Sequence, residues 1–304
     1  MNTKNKTVKG QKSTAVILTN MGGARSADEL KLFLKNMFSD KRIISSPLRY
    51  LLAPIISNLR YKKVWNEYET INGSPIYKIT EQLTRKLQER RNETVLFSMR
   101  YTRPYLDEII HQFDEIILAP LYPHYSTTTV ESSLDELKKT KYKGKVKIVK
   151  PFYLSEAYNQ IIIDNIRKKV TNPSEWNLIF SAHGLPQKVI DKGDVYQAQV
   201  TEQVAFLKQQ LSDFASVKLA YQSRVGPVKW LKPYLEDSIQ KYQGQKVLIY
   251  PLSFVIDNSE TLLELSILYK KVAEQMGVQQ YEVVSCPNGS DEFVKFLSEL
   301  ADNS

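Results

Sequence analysis

The chain has 304 residues, enough for about two domains with cores of their own. Its 42 Lys+Arg against 33 Asp+Glu leave a formal charge of +9, too balanced to require a nucleic-acid partner, and 42% hydrophobic with 25% charged residues argues against disorder, collagen or a membrane bundle. The single cysteine, Cys286, excludes an internal disulfide, a four-thiolate iron–sulfur cluster and every paired-cysteine zinc motif, and fits a reducing cytoplasm.

Residues 1–14 carry four lysines followed only by the short apolar run Ala15–Leu18, which reads as a frayed leader rather than a signal peptide. The longest apolar-rich stretch, Leu248–Ile256, is about half of the ~18 residues a membrane span needs. Eight β-branched-rich runs are strand candidates, in two sets of four. The first set is Thr14–Thr19, Thr94–Met99, Glu115–Pro120 and Lys145–Lys150; the second is Trp176–Ser181, Val217–Tyr221, Lys246–Pro251 and Tyr281–Ser285. Helical patterns fall between them at Ala27–Phe38, Pro75–Arg90, Val195–Leu211 and Thr261–Met276.

Strand alternating with helix predicts an α/β protein of two similar Rossmann-like lobes, each a four-stranded parallel sheet covered by helices. The expected division is 14–140 for the first lobe, 141–288 for the second, and 289–304 for a terminal helix packing across both. Ligands of such sheets bind beyond the carboxyl ends of strands, so residues at strand exits carry extra weight.

One segment breaks the rhythm. Lys41–Asn66 holds six basic residues and no acidic one, with Leu51, Leu52, Ile55, Ile56 and Leu59 at helical spacing and Pro54 expected in a first turn. Three readings stand: a membrane-surface helix, the lip of an apolar pocket, or an ordinary helix with a solvated basic face.

After the first candidate strand, Gly22-Gly23 lacks the third glycine of a dinucleotide loop, and no phosphate-cradling Gly-x4-Gly-Lys motif occurs. The fifth strand exits into Ser181-Ala182-His183-Gly184-Leu185-Pro186, which places an imidazole able to take a proton or ligate a metal at a strand end. His111, expected on a helix, and His124, in a loop, are weaker candidates. Two strands later, Asp257, Glu260 and Glu264 are spaced to share one helical face. Asp257 as N-cap with Glu260 makes an ordinary capping pair. Glu264 one turn below Glu260 needs a counter-charge such as a metal ion or a shuttled proton. Facing His183, these carboxylates suit Fe²⁺ or proton handling, for passage rather than storage.

At these residues the chain resembles the ferrochelatase family, from about Val16 to Leu300. The motifs carrying the likeness are Leu18–Gly23, Gly73–Ile76, Met99–Pro104, Leu121–Ser126, Ser181–Pro186 with Gly193-Asp194-x-Tyr196, Tyr221–Pro227 with Trp230, and Asp257–Glu264. The resemblance implies a two-lobed chelatase fold with a porphyrin cleft, and a lyase inserting ferrous iron into protoporphyrin IX in haem biosynthesis. By similarity, His183 and Glu260 handle metal and protons, and Asp257 and Glu264 relay them. Met21, Tyr68, Ser74, Arg100, Tyr101, Tyr125, Gln222 and Trp230 match positions lining the porphyrin pocket or its entrance.

The basic apolar stretch matches the family's lip, so the expectation becomes a pocket edge with peripheral contact at the inner face of the membrane. No permanent cofactor and no iron–sulfur cluster is expected, and the chain is expected to act as a cytoplasmic monomer. The sequence departs from the family at Asn258, where a histidine is usual, at Thr70 and Asn72 in place of Arg and Gly, and at His124 in place of Gln. A coproporphyrin, cobalt or nickel chelatase, a porphyrin or haem carrier, and a sugar- or anion-binding bilobal protein are the competing readings. The pair His183 and Glu260 favours turnover over carriage.

Overall fold

The computed structural model describes residues 13–224 and 226–304; residues 1–12 of the expected leader and Val225 of the Tyr221–Pro227 motif lie outside the described residues, while Thr14, expected in the leader, opens the first strand. The first sheet contains β1 (Thr14–Asn20), β2 (Thr94–Met99), β3 (Glu115–Pro120) and β4 (Lys145–Ile148), all parallel and ordered β2-β1-β3-β4. The second contains β5 (Trp176–His183), β6 (Ser216–Gln222), β7 (Lys246–Pro251) and β8 (Gln280–Val283), parallel in the equivalent order β6-β5-β7-β8. The eight candidate runs all form strands, with ends shifted by at most two residues. Because β4 pairs with β3, the first sheet continues through Ile148, past the boundary expected at residue 140.

Helices α1 (Ala27–Ser39), α2 (Arg49–Glu69) and α3 (Ile76–Gln88) connect β1 to β2, the four-residue α4 (Leu106–Ile109) precedes β3, and α5 (Val130–Lys139) precedes β4. Then come α6 (Glu156–Lys169), α7 (Gln187–Asp191), α8 (Tyr196–Gln210), α9 (Leu235–Ile239), α10 (Tyr269–Gln275) and α11 (Asp291–Asp302). His111 falls beyond the end of α4 rather than on a helix, exposed and paired with Asp107 at 2.8 Å.

The central strands are apolar on both faces because helices cover both: Ala15–Leu18 and Leu178–Phe180 are fully buried. One apolar core runs through both lobes, joining Val16 and Leu18 of β1 to Leu178 and Phe180 of β5 and to Phe293 and Phe296 of α11. The edge strand β4 is exposed throughout, and Lys145 and Lys147 guard its open edge.

Helix α2 starts earlier than expected, so Pro54 lies inside its second turn rather than in its first. Leu48, Leu51, Ile55 and Leu59 project into solvent, while Ala53 and Ser57 face inward. Lys41 and Arg42, at the base of this segment, pair with Asp135 of α5 at 3.1 and 2.8 Å and hold it to the first lobe.

Candidate active site

Strand β5 delivers His183 to the carboxyl edge of the second sheet. Its backbone N–H donates to Ser253 Oγ (3.1 Å), and its carbonyl accepts from the Tyr196 hydroxyl (2.9 Å), which also pairs with Ser253. The ring is fixed as well: Nδ1 lies 2.8 Å from the Gly184 carbonyl, and a carbonyl only accepts, so Nδ1 carries the hydrogen. The neutral imidazole therefore keeps its lone pair on Nε2. Gly184 permits this turn because its own N–H reaches Gln222 O at 2.8 Å, and a Cβ there would lie 2.7 Å from that oxygen.

The acidic segment departs from the expected ladder in three ways. Asp257 is buried, and its carboxylate accepts from the Asn288 amide (2.6 Å) and the Cys286 N–H (3.2 Å), so it anchors the loop before α11. It precedes the helix, where helical spacing does not apply. The cap is Asn258: its Oδ1 accepts from the N–H groups of Glu260 (2.9 Å) and Thr261 (3.1 Å), and its N–H donates to Thr261 Oγ1 (3.0 Å). The residue at the family's histidine position thus serves the backbone.

The helix that follows is not an α-helix at first. Glu260–Leu268 is a nine-residue π-helix, its last carbonyls bonded five residues on, as from Tyr269 N–H to Glu264 O, before α10 resumes ordinary winding. Such wide turns are rare and concentrate at functional sites.

Glu264 meets hydrogen-bond donors that stabilise its charge beside Glu260. Its carboxylate accepts from Ser223 N–H (3.0 Å), the Ser223 hydroxyl and Gln222 Nε2 (3.3 Å), and a proton taken up by the nearby His183 imidazole would oppose its charge. Burial nevertheless wins, pushing the Glu264 carboxyl above the ordinary glutamate range, with the Glu260 charge adding to the rise. Ser223 adopts a left-handed backbone (φ 65°) to present both donors. His183, Glu260 and Glu264 thus share one electrostatic space. Among the described residues no three His, Cys, Asp or Glu side chains form a metal-holding group.

From the first lobe, Tyr68 at the end of α2 crosses to the second, its hydroxyl donating to Ser259 Oγ (2.8 Å), which donates to Glu260 Oε2 (2.9 Å). Burial and the charge of Glu260 push the Tyr68 phenol up. Met21 packs in the same cluster as Tyr68, with Phe33, Leu34 and Trp65. Ser74 is buried, its N–H on Ala24 O (2.8 Å). Gly22 and Gly23 are required by the surrounding protein: a Cβ on Gly22 would meet Thr102 Oγ1 at 2.5 Å, and one on Gly23 would collide with Ser74. Asn72 takes the left-handed φ of 56° that a glycine would supply.

Arg100 and Tyr101, expected to line the porphyrin pocket, are both hydrogen-bonded into the wall of the first lobe. The Arg100 guanidinium is held by Asp40 (2.8 Å), Glu136 (3.1 Å) and Ser132, and the buried Tyr101 hydroxyl donates to the same Asp40 carboxylate (3.0 Å). Asp40, buried at the end of α1, binds all of these donors, which hold its carboxyl below the ordinary range against the opposing effect of burial. Gln222 is likewise internal, bridging Ser181 and Glu264. Tyr125 donates to Glu131 (3.0 Å), and the half-buried Trp230 has an indole N–H with no partner among the described residues.

His124 is a buried packing residue between Tyr153 and Tyr196, with Nε2 at 2.7 Å from Gln203. Burial pushes its imidazole down to about 3, so it stays neutral. Sequence reasoning passed over Tyr122, which burial and the Glu260 charge place in the same electrostatic space, and over Tyr196, Ser253, Ser223 and Ser259. All five sit within or beside the quoted strand-exit motifs, which was the available signal.

The ferrochelatase family profile matches residues 13–304. The chain belongs to the ferrochelatase family. The ferrochelatase of Campylobacter concisus is 45% identical over 95% of this chain and 98% of its own length. Those of Sulfurimonas denitrificans and Nitratiruptor are 44% and 43% identical, each with 98% of its length matched. Among solved structures, SirB from Bacillus subtilis (TM-score 0.58, 11% identity, 96% of each chain) shares the fold. So does CbiX, described as the terminal enzyme of sirohaem biosynthesis in denitrifying bacteria (TM-score 0.57, 11% identity, 96% of this chain and 99% of that one). This ferrochelatase-family enzyme is accordingly a metal chelatase of the lyase class, built on the chelatase fold.

Proposed function

We propose that the chain inserts Fe²⁺ into protoporphyrin IX, with His183 accepting the pyrrolic protons and Glu260 acting with it on the metal and protons. The observation that carries this reading is the His183 tautomer: with Nδ1–H bound to the Gly184 carbonyl, Nε2 is a lone-pair acceptor held at a strand exit, in one electrostatic space with two carboxylates.

A free porphyrin is flat, its two inner N–H groups are very weak acids, and Fe²⁺ arrives hydrated. A cleft that buckles the ring exposes the nitrogen lone pairs at a strain of ~1–5 kcal/mol drawn from binding elsewhere on the ligand. The protein must then supply only a proton acceptor and compensating charge. Glu264 supports this role: its raised carboxyl can share a proton, while Asp257, tied to Asn288, is set aside as structural.

The lip supports peripheral membrane contact. Leu51, Ile55 and Leu59 are 67%, 55% and 78% exposed on one helix that also presents Arg60, Lys62 and Lys63, and among the described residues no helix is long and apolar enough to cross a bilayer.

Anaerobic mixing with protoporphyrin IX and Fe²⁺, followed by loss of the free-base absorption bands, tests the assignment. Wild type is expected to metallate the ring and His183→Ala to lose that activity while remaining folded. Full activity in His183→Ala would overturn the role given to His183.

A further inference from the structure

Helix α2 and the π-helix belong to different lobes, yet one hydroxyl chain joins them: Tyr68 OH to Ser259 Oγ at 2.8 Å, and Ser259 Oγ to Glu260 Oε2 at 2.9 Å. A serine hydroxyl has a single hydrogen. Since Tyr68 donates to it, the Ser259 hydrogen is directed at the Glu260 carboxylate. Glu260 is thereby oriented by a group whose own orientation depends on Tyr68 of the first lobe.

The rest of the lip's anchoring differs in kind. Its base is fixed to its own lobe by Lys41 and Arg42 on Asp135 of α5. Further along the same helix, the Tyr68 hydroxyl reaches across to the site. The Tyr68 ring is held separately, packed with Met21, Phe33, Leu34 and Trp65, so the hydroxyl can be removed without removing the packing. Ser259 is itself buried, which excludes water as an easy substitute for the tyrosine.

We propose that Ser259 is a positioning residue for Glu260, and that Tyr68, at the end of α2, holds it in that role from the other lobe. This rests on the role given to Glu260 above. The device explains why the end of α2 carries a tyrosine and the residue before Glu260 a hydroxyl: neither is demanded by the cap, which Asn258 and Thr261 complete alone.

The test is a double-mutant cycle on the full chain, reading kcat and the porphyrin KM separately, with melting temperature as a check on folding. Ser259→Ala is expected to lower kcat about tenfold, the scale of one lost hydrogen bond to a charged group, with KM within about twofold of wild type. Ser259→Thr, which keeps the hydroxyl, should restore most of kcat. Tyr68→Phe should lower kcat comparably, and adding it to Ser259→Ala should cost nothing further. Wild-type kcat in Ser259→Ala, fully additive losses, or an effect confined to KM would overturn the proposal. Glu260→Ala serves as the reference. If it is inactive while Ser259→Ala is normal, the role of Glu260 stands and the positioning role fails; if Glu260→Ala keeps full activity, the underlying reading fails and the proposal with it.

Discussion

At the scale of single residues, the acidic segment shows how spacing and environment divide the work. Three carboxylates within eight residues look alike in sequence, but each meets a different partner set: Asp257 a backbone N–H and the Asn288 amide, Glu260 one hydroxyl, and Glu264 three donors and an imidazole. His183 was legible because a strand exit is where a parallel sheet delivers chemistry. The loss of Asp257 from the ladder was not, because its partner lies in a loop 31 residues on. Glu264 carries a pH prediction. Its carboxyl is raised in the fold, chiefly by burial, and returns to the ordinary range on unfolding. A group that holds its proton more tightly when folded favours folding below its unfolded value, and that advantage is lost as pH rises through the folded value. Glu264→Gln does not titrate, so its stability relative to wild type should improve as pH rises from about 4 toward neutrality. Urea unfolding of both proteins across this range is the measurement, and a pH-independent difference would contradict it.

At the scale of elements, strands were easier to locate than helices. The β-branched runs are short, bounded by turn residues and buried on both faces, so period and burial agree. The segment after β7 reads as an α-helix because its apolar spacing suits either winding, and nothing local announces that the backbone opens into a π-helix at Glu260. Helix α2 is the opposite case, since its pattern predicted the apolar stripe but not the direction in which the stripe faces. Leu51, Ile55 and Leu59 turn outward because the inward face is set by the small residues Ala53 and Ser57. If this face meets lipid, wild type should co-sediment with vesicles containing anionic phospholipid, more at low salt than at high salt. Leu51→Glu combined with Leu59→Glu should remove the binding while leaving metallation of detergent-dispersed porphyrin within about twofold, since neither side chain is buried. Undiminished sedimentation of the double variant would exclude this face.

At the scale of the molecule, the two lobes share a strand order and a core, and the order itself was beyond the reach of the sequence because sheet pairing joins residues far apart in the chain. The terminal helix makes that sharing physical. Helix α11 packs against α3 of the first lobe and against α6. Phe296 lies between Phe152 and Tyr158 at 5.4 and 5.8 Å, while the buried Arg91 guanidinium, from the first lobe, reaches Ser298 O (2.7 Å) and Asp302 (2.8 Å). A ring stacked on Tyr158 and edge-on to Phe152 within the core shared by the two sheets should stabilise both. Truncating it in Phe296→Ala leaves a cavity and should cost about 3–5 kcal/mol. Because the core is continuous, the loss should be felt in β1 and β5 together: amides of Ala15–Leu18 and Leu178–Phe180 should exchange faster by similar factors under native conditions, with one calorimetric transition retained. Hydrogen exchange read by mass spectrometry separates the alternatives. Acceleration confined to second-lobe peptides, or a thermogram split into two transitions, would mean that the lobes unfold separately and that α11 belongs to only one of them.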